Sequence, residues 1–276
     1  MIHDGNTKII ARLHKQFSPR VLNIYNPYFE ETGLNAAFLL FYNPDPKPLV
    51  AGIKNLNISG AVTVGFETDA QFAKLVDEYD ESSTVVKRVG FIKNITGKLR
   101  GYYQGGLGQL LSIESQTSIK NKDLVIVGAG NVVRSLLWEI SLRKKFPKSV
   151  VVINRTPEKL KDFDNYKFVK QTGGLDLLIK LSGDVLVNAT HLGVREPDTL
   201  FTGEIVDKFK IISDVTFEKE DSNLILLAKK LGKKYSTGWD MFTYQGLVVL
   251  ETILDTKIDP KILKKHVISG LSEVVK

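Results

Sequence analysis

The chain has 276 residues, no cysteine and a formal net charge of +7, with 43% hydrophobic and 25% charged residues. This is an ordinary globular mixture, sized for one large domain or two ordinary ones. The absent cysteines exclude disulfides, thiolate metal sites and cysteine nucleophiles. No apolar run reaches the roughly 18 residues of a membrane span, and residues 1–6 lack the basic and apolar regions of a signal peptide. A cytoplasmic location is therefore expected, with no membrane partner. The densest cationic groups are Arg143-Lys144-Lys145, Lys229-Lys230 with Lys233-Lys234, and Lys264-Lys265. Each lies at or near the end of a helical pattern, where cations favour the helix dipole and stay solvated. No aromatic residues are interleaved with them as a base-stacking platform requires, so no nucleic-acid partner is expected.

In chain order, residues 8–13 read as a strand. Residues 26–37 read as a helix, followed by the apolar run 38–42. The Pro-rich stretch from Asn43 to Pro48 reads as a loop. Residues 60–64 read as a short strand and 69–79 as a helix. After Gly101 the character changes. Residues 124–127 form a continuous apolar run, as expected of a strand buried on both faces. Val132, Val133, Leu136, Leu137 and Ile140 then recur at helical spacing. Residues 150–153, 185–187 and 211–212 are further strand candidates, with helical patterns at 175–181 and 224–231 between them. Strands alternating with helices imply a parallel sheet with right-handed crossovers. Residues 241–276 read as helices broken near Pro260. The fold class is α/β.

The turn Gly128-Ala129-Gly130-Asn131-Val132-Val133 follows a strand and opens a helix. Its two glycines permit a tight turn and close approach of a pyrophosphate, which would meet the positive end of the helix. Val133 stands where the fingerprint has a third small residue. The next strand ends on Asn154-Arg155-Thr156, with Lys159 a turn later. An NAD site places an acidic residue here to bind the ribose hydroxyls, whereas two cations suit a 2′-phosphate. The expected cofactor is NADP. His3, His14, His191 and His266 are far apart and lack a spaced carboxylate partner, so no metal site is expected.

Further motifs occur in order: Asn188-Ala189-Thr190-His191-Leu192-Gly193, Asp214-Val215-Thr216-Phe217, and Gly238-Trp239-Asp240-Met241 with Gln245-Gly246. In the first hundred residues Asn26, Phe29 and Gly33-Leu34-Asn35 join them. With the glycine turn and Asn154-Arg155-Thr156, this set resembles the shikimate dehydrogenase (shikimate/quinate 5-dehydrogenase) family over nearly the whole chain. The resemblance implies an N-terminal substrate domain (1–100), a Rossmann NADP-binding domain (101–240) and C-terminal helices (241–276) returning to the first domain, with a cleft between the domains. It implies cofactor contacts from Gly128, Ala129, Gly130, Asn131, Val132, Asn154, Arg155, Thr156, Lys159, Asn188, Thr190 and Gly238. It implies substrate contacts from Ser18, Thr63, Phe217 and Gln245, to a small molecule such as a hydroxylated ring. A homodimer is a further expectation.

Where the family has Asn-Val-Thr-x-Pro-x-Lys, the chain reads Ala61-Val62-Thr63-Val64-Gly65-Phe66-Glu67. Where the family has Gly-x-Asn-Thr-Asp-x-x-Gly, it reads Gly101-Tyr102-Tyr103-Gln104-Gly105-Gly106-Leu107-Gly108. Glu67 and Gly105 thus hold the positions of the family's acid/base lysine and partner aspartate, and Phe217 lacks a tyrosine hydroxyl. Tyr103, Tyr25 and Tyr244 are alternative proton donors. Two functions follow as expectations. One is a divergent NADP-dependent oxidoreductase with altered substrate or weak activity. The other is a non-catalytic NADP-binding regulatory or accessory protein. An ordinary shikimate dehydrogenase ranks below both.

Overall fold

The computed structural model describes residues 3–14, 21–63, 70–144, 146–192, 199–218 and 220–272. The chain divides into two compact units, Met1–Gln104 with Gln245–Lys276, and Gly105–Tyr244.

The first unit is built on a mixed sheet of β1 (Lys8–His14), β2 (Ala36–Tyr42), β3 (Gly60–Val62), β4 (Glu78–Tyr79), β5 (Phe91–Ile95) and β6 (Lys98–Tyr102), in the order β2-β1-β3-β5-β6-β4. β1 runs parallel to β2 and β3, while β5 is antiparallel to both β3 and β6. Helix α1 (Leu22–Thr32) starts before the expected residue 26 and stops where Gly33 adopts φ +68. That left-handed cap ends the helix, so Ala36 and Ala37 join β2 by pairing with Lys8 and Ile9 rather than extending α1. β2 is an edge strand, and the Asn26 side chain covers its middle. Asn26 Nδ2 donates to Phe38 O (3.0 Å) and Asn26 Oδ1 accepts from Phe38 N (2.7 Å), as a neighbouring strand would.

Two other expectations are corrected. The stretch 43–48 is a loop only to Asp45, whose carboxylate accepts from Lys47 N and caps α2 (Pro46–Asn55). Proline in the first turn loses no helical hydrogen bond, so it starts the helix. Residues 69–79 are helical only at 70–72 among those described; a turn follows, and Glu78 and Tyr79 pair with Arg100 and Gly101 as β4. Helix α3 (Glu81–Val86) is capped by Asp80, which accepts from Ser83 N at 2.7 Å.

The second unit is a parallel sheet of β7 (Asp123–Val127), β8 (Ser149–Ile153), β9 (Val169–Gly173), β10 (Gly183–Asn188), β11 (Phe209–Asp214) and β12 (Lys234–Ser236), in the order β12-β11-β10-β7-β8-β9. Leu124 and Ile126 face one apolar core and Val125 and Val127 the other, which is why the run is continuously apolar. The helices are α4 (Gly105–Glu114), α5 (Asn131–Ser141), α6 (Gly203–Asp207) and α7 (Asn223–Lys230); residues 175–180 form a 3-10 turn instead of an α-helix. Gly106 lets α4 lie against α5, since a Cβ there would sit 2.2 Å from the Ser135 carbonyl carbon.

Helix α8 (Gly238–Leu254) passes from the second unit into the first, and α9 (Pro260–Ser272) packs on α1. The contact is close, with the Gly270 α-carbon against Ile24 and Asn23. Asp259 N donates to the Tyr28 hydroxyl at 3.1 Å, and Lys265 and His266 both reach Glu31. Among the described residues no helix is long and apolar enough to cross a membrane.

Candidate functional site

In the second unit the crossovers from β7 and from β10 run to opposite sides of the sheet. Ligands of open α/β sheets bind at the carboxyl ends of strands that flank such a switch point. The glycine turn lies there. Gly128 has φ +127, and a Cβ on it would lie 2.6 Å from Ala189 O. Its N–H donates to Ile153 O, and Ala189 N–H donates to Val127 O, each at 2.8 Å. The first glycine is thus required by the chain itself. Gly130 is different. Its φ of −78 and ψ of −176 suit any residue, and among the described residues a Cβ there would meet nothing within 4 Å. It precedes α5, whose first N–H groups have no intrahelical partner. Asn131 and Val132 open that helix half-buried, while Val133 is fully buried in the core.

At the end of β8, Asn154 N donates to Gly173 O (3.0 Å) and Asn154 Nδ2 to Thr156 O (2.9 Å). The resulting turn leaves Arg155, Thr156 and Lys159 exposed. Arg134, on the first turns of α5, reaches this segment. Its Nη2 donates to Lys159 O (3.2 Å), its Nη1 meets Asp162 (3.5 Å), and its guanidinium lies 5.0 Å from the Phe163 ring centre.

The ends of β10 and β11 are tied by a buried polar network. Asn188 Oδ1 accepts from Thr190 Oγ1 (2.7 Å) and Thr190 N (3.1 Å), and Asn188 Nδ2 donates to Asp214 Oδ1 (3.0 Å). Asp214 also accepts from Thr216 N (2.9 Å) and Ser222 Oγ (2.5 Å). Burial pushes the Asp214 carboxyl above its ordinary pKa, and these donors oppose the shift. Deeper in the same unit, Gln109 Nε2 donates to Ser213 Oγ, which bonds Ser236 Oγ. Gly238 presses on the loop after β11, where a Cβ would sit 2.2 Å from Thr216 O. Phe217 packs on Trp239 and Phe242 with ring centres 3.9 and 5.0 Å apart.

In the first unit, Thr63 is buried at the end of β3. Its N–H donates to Gly90 O (3.0 Å), and its hydroxyl lies 2.7 Å from Val89 O and 3.0 Å from Gly90 O. Tyr25 is buried and stacked on Phe38 at 4.8 Å, and burial raises its pKa. Gly246 makes room for it, since a Cβ there would lie 2.6 Å from the Tyr25 hydroxyl. Gln245, half-buried, adjoins Gly246 on α8.

No protein-family model matches the chain. It is 29% identical over 225 residues to shikimate dehydrogenase (NADP+) of Pyrococcus abyssi, covering 81% of this chain and 83% of that protein. It is 27% identical over 273 residues to shikimate dehydrogenase (NADP+) of Pyrococcus furiosus, covering 98% of each. A crystal structure of shikimate dehydrogenase in complex with NADP+ superposes with a TM-score of 0.81 at 24% identity, over 98% of each chain. The chain is thus similar to shikimate dehydrogenases over nearly its whole length and shares their fold.

The α/β fold read from the sequence matches that of the family. The glycine turn, Asn154-Arg155-Thr156, Asn188 and Gly238 all lie in the second unit. Thr63, Tyr103 and Gln245 lie in the first. Gly105 is buried as the first residue of α4 and offers no side chain. Tyr103 is 9% exposed, and its carbonyl accepts from Ser82 Oγ at 3.1 Å. Glu67, Ser18 and Gly193 fall outside the described residues. Sequence reasoning missed Arg134, because its partner Lys159 is 25 residues away and no short-range pattern links them. It also missed the packing of Gln104 on Gly90, for the same reason.

Proposed function

We propose that the Gly105–Tyr244 unit binds NADP and that the chain is a divergent oxidoreductase acting on the CH–OH group of a small hydroxylated ring. The observation that carries the cofactor reading is the open α-carbon of Gly130. No packing among the described residues calls for a glycine there, whereas a pyrophosphate approaching the start of α5 does. Arg155 and Lys159 would hold the 2′-phosphate, Arg155 by a bidentate contact. Asn154, with its amide turned onto Thr156 O, leaves no carboxylate at the strand end to repel it. When bound, NADP supplies or accepts the hydride.

Thr63 and Gln245 offer a hydroxyl and a carboxamide to ring hydroxyls. The proton chemistry departs from the family. A lysine beside the reacting oxygen provides a proton and a positive charge, and Glu67 at that position has the opposite charge. Gly105 cannot orient a partner, and Phe217 has no hydroxyl. Loss of positioned acid/base help costs about 100- to 10,000-fold in rate, so shikimate turnover is expected to be very slow or absent. The same three residues favour a second reading, an NADP-binding protein without catalysis.

Calorimetric titration with NADPH and NADH tests the cofactor. NADPH is expected to bind more tightly, and Arg155→Ala to remove most of the difference; equal affinities would refute it. A steady-state assay with shikimate, quinate and small cyclic alcohols tests the chemistry. Shikimate turnover in the usual enzymatic range of about 1–1,000 per second would refute the loss of the catalytic pair. Turnover of another alcohol supports the divergent enzyme, and tight NADP binding with no turnover supports the accessory protein.

A further inference from the structure

The carboxyl ends of β10 and β11 are bridged by two buried side chains, Asn188 and Asp214, each 1% exposed. Both ends of the Asn188 carboxamide are used. Its Nδ2 donates to Asp214 Oδ1 (3.0 Å), and its Oδ1 accepts from Thr190 N (3.1 Å) and Thr190 Oγ1 (2.7 Å). The neighbours permit only this orientation. Asp214 Oδ1 accepts a second N–H, from Thr216 at 2.9 Å, so it meets Asn188 as an acceptor. Thr190 N can only donate, so it needs the amide oxygen. The carboxylate thus turns the Asn188 oxygen onto Thr190 and closes the Asn188-Ala189-Thr190 turn.

Thr190 is used in the same way. A hydroxyl has one proton, and that of Thr190 goes to Asn188, while its oxygen accepts from Leu192 N at 3.1 Å. What remains is an acceptor, which the acceptor oxygens of a pyrophosphate cannot use. The turn meets the glycine turn through its backbone instead. Ala189 N–H donates to Val127 O at 2.8 Å, and the Ala189 carbonyl lies against the Gly128 α-carbon, where a Cβ would be 2.6 Å away. The turn after β10 therefore seats the turn after β7.

We propose that Asp214 is a positioning residue of the cofactor site: it orients Asn188, which holds the Ala189 carbonyl against Gly128 in the shape that receives the pyrophosphate. The proposal rests on the reading of this unit as an NADP binder. It gives the Asn188 and Thr190 side chains a role through the turn they build, not by contact. No ligand has to reach the buried atoms, because the effect travels through the backbone of residues 188–190. Ser222 marks the limit of the role. It donates to the other oxygen, Asp214 Oδ2, and its own oxygen accepts from Ile225 N to cap α7. That arm serves the fold.

The test is calorimetric titration of the full chain with NADPH and NADH, alongside thermal melting. Asp214→Asn keeps an oxygen towards Asn188 and is expected to bind NADPH as the wild type does. Asp214→Leu and Asn188→Leu are each expected to weaken it about 10-fold or more. Both act on one turn, so the double variant should lose no more affinity than the worse single one. It also removes both ends of the buried bond, so it should melt closer to the wild type than Asp214→Leu while its affinity stays low. A merely structural role would return affinity along with stability. NADH should weaken by the same factor, since the pyrophosphate and not the 2′-phosphate is affected. Ser222→Ala should lower melting but not affinity. Wild-type NADPH affinity in the folded double variant would overturn this proposal alone. So would an equal loss in Asp214→Asn or Ser222→Ala, which still decide if a leucine variant does not fold, or a loss confined to NADPH. Failure of the unaltered protein to bind either dinucleotide would overturn the cofactor reading and this proposal with it.

Discussion

Two glycines two residues apart are expected to fail in opposite ways when replaced by alanine. Gly128 has φ +127, and its Cβ would meet Ala189 O at 2.6 Å. A disfavoured backbone costs on the order of 1–3 kcal/mol, and forcing atoms into a packed site costs about 1–3 kcal/mol more. Gly128→Ala should therefore lose roughly 2–6 kcal/mol of unfolding free energy. Gly130 has an extended backbone and open space, so Gly130→Ala should leave stability unchanged or raise it by about 0.4–1 kcal/mol through the unfolded chain. Its methyl would stand where the proposed site receives the pyrophosphate. A 10- to 100-fold loss of NADPH affinity is expected, about 1.4–2.7 kcal/mol. Urea unfolding followed by tryptophan fluorescence reads the second unit directly, because both tryptophans, Trp138 and Trp239, belong to it. Calorimetry with NADPH reads the site. Wild-type NADPH affinity in Gly130→Ala, or destabilisation of it equal to that of Gly128→Ala, would refute the assignment of one glycine to the fold and the other to the ligand.

Three further outcomes follow from the same geometry. Asn26→Ala exposes the Phe38 N–H and carbonyl that Asn26 pairs, so a loss of about 1–3 kcal/mol is expected by denaturant unfolding, against none if the edge is indifferent. Arg134→Ala unties Lys159 from α5, so NADPH affinity should fall while NADH affinity holds, with Arg134→Lys recovering part of the loss; equal changes for both cofactors would contradict it. Hydrogen bonds from Lys265 and His266 hold the Glu31 carboxyl below its ordinary pKa. A depressed acid contributes stability above its unfolded pKa and loses it as pH falls through the folded value, so hydrogen exchange of α9 should accelerate in the acid range, and Glu31→Gln should abolish that acceleration.

The second unit was largely legible in the sequence, and the first less so. A parallel strand buried on both faces writes itself as an unbroken apolar run, and Leu124–Val127 and Val150–Ile153 could be read directly. The hairpin of β5 and β6 carries Lys93, Asn94, Lys98 and Arg100 on a partly solvated sheet, so its apolar pattern is diluted. Helix α2 was hidden by Pro46 and Pro48, which read as loop signals although proline is tolerated in a first turn. The Ala36-Ala37 pair looks helical locally, but pairing with β1 overrides that propensity. The same division holds at the site. Gly128 and Arg155 announce themselves by spacing from a strand. The meeting of Gly90 with Gln104, and of Arg134 with Lys159, depends on tertiary approach that no local spacing encodes.

If the altered acid/base pair limits the chemistry, restoring it should raise the rate. Gly105 is the residue on which to build. It is not among the positive-φ glycines, so aspartate can adopt its backbone, and it opens α4, where a carboxylate is favoured by the helix dipole. Gly105 is buried, so a new carboxylate needs a cation to offset its desolvation, and the proposed reading supplies one as lysine at position 67. Gly105→Asp alone should therefore be destabilising and inactive, and Glu67→Lys alone should gain little. Together they should raise shikimate oxidation with NADP by about 100-fold or more, the scale of positioned acid/base catalysis. The pair should act far beyond additively, because each residue serves through the other. The assay is steady-state shikimate oxidation, with NADPH titration and thermal melting confirming that the double variant is folded and loaded. A folded, NADP-binding double variant that is no faster than the unaltered chain would show that Glu67 and Gly105 are not what holds its activity down.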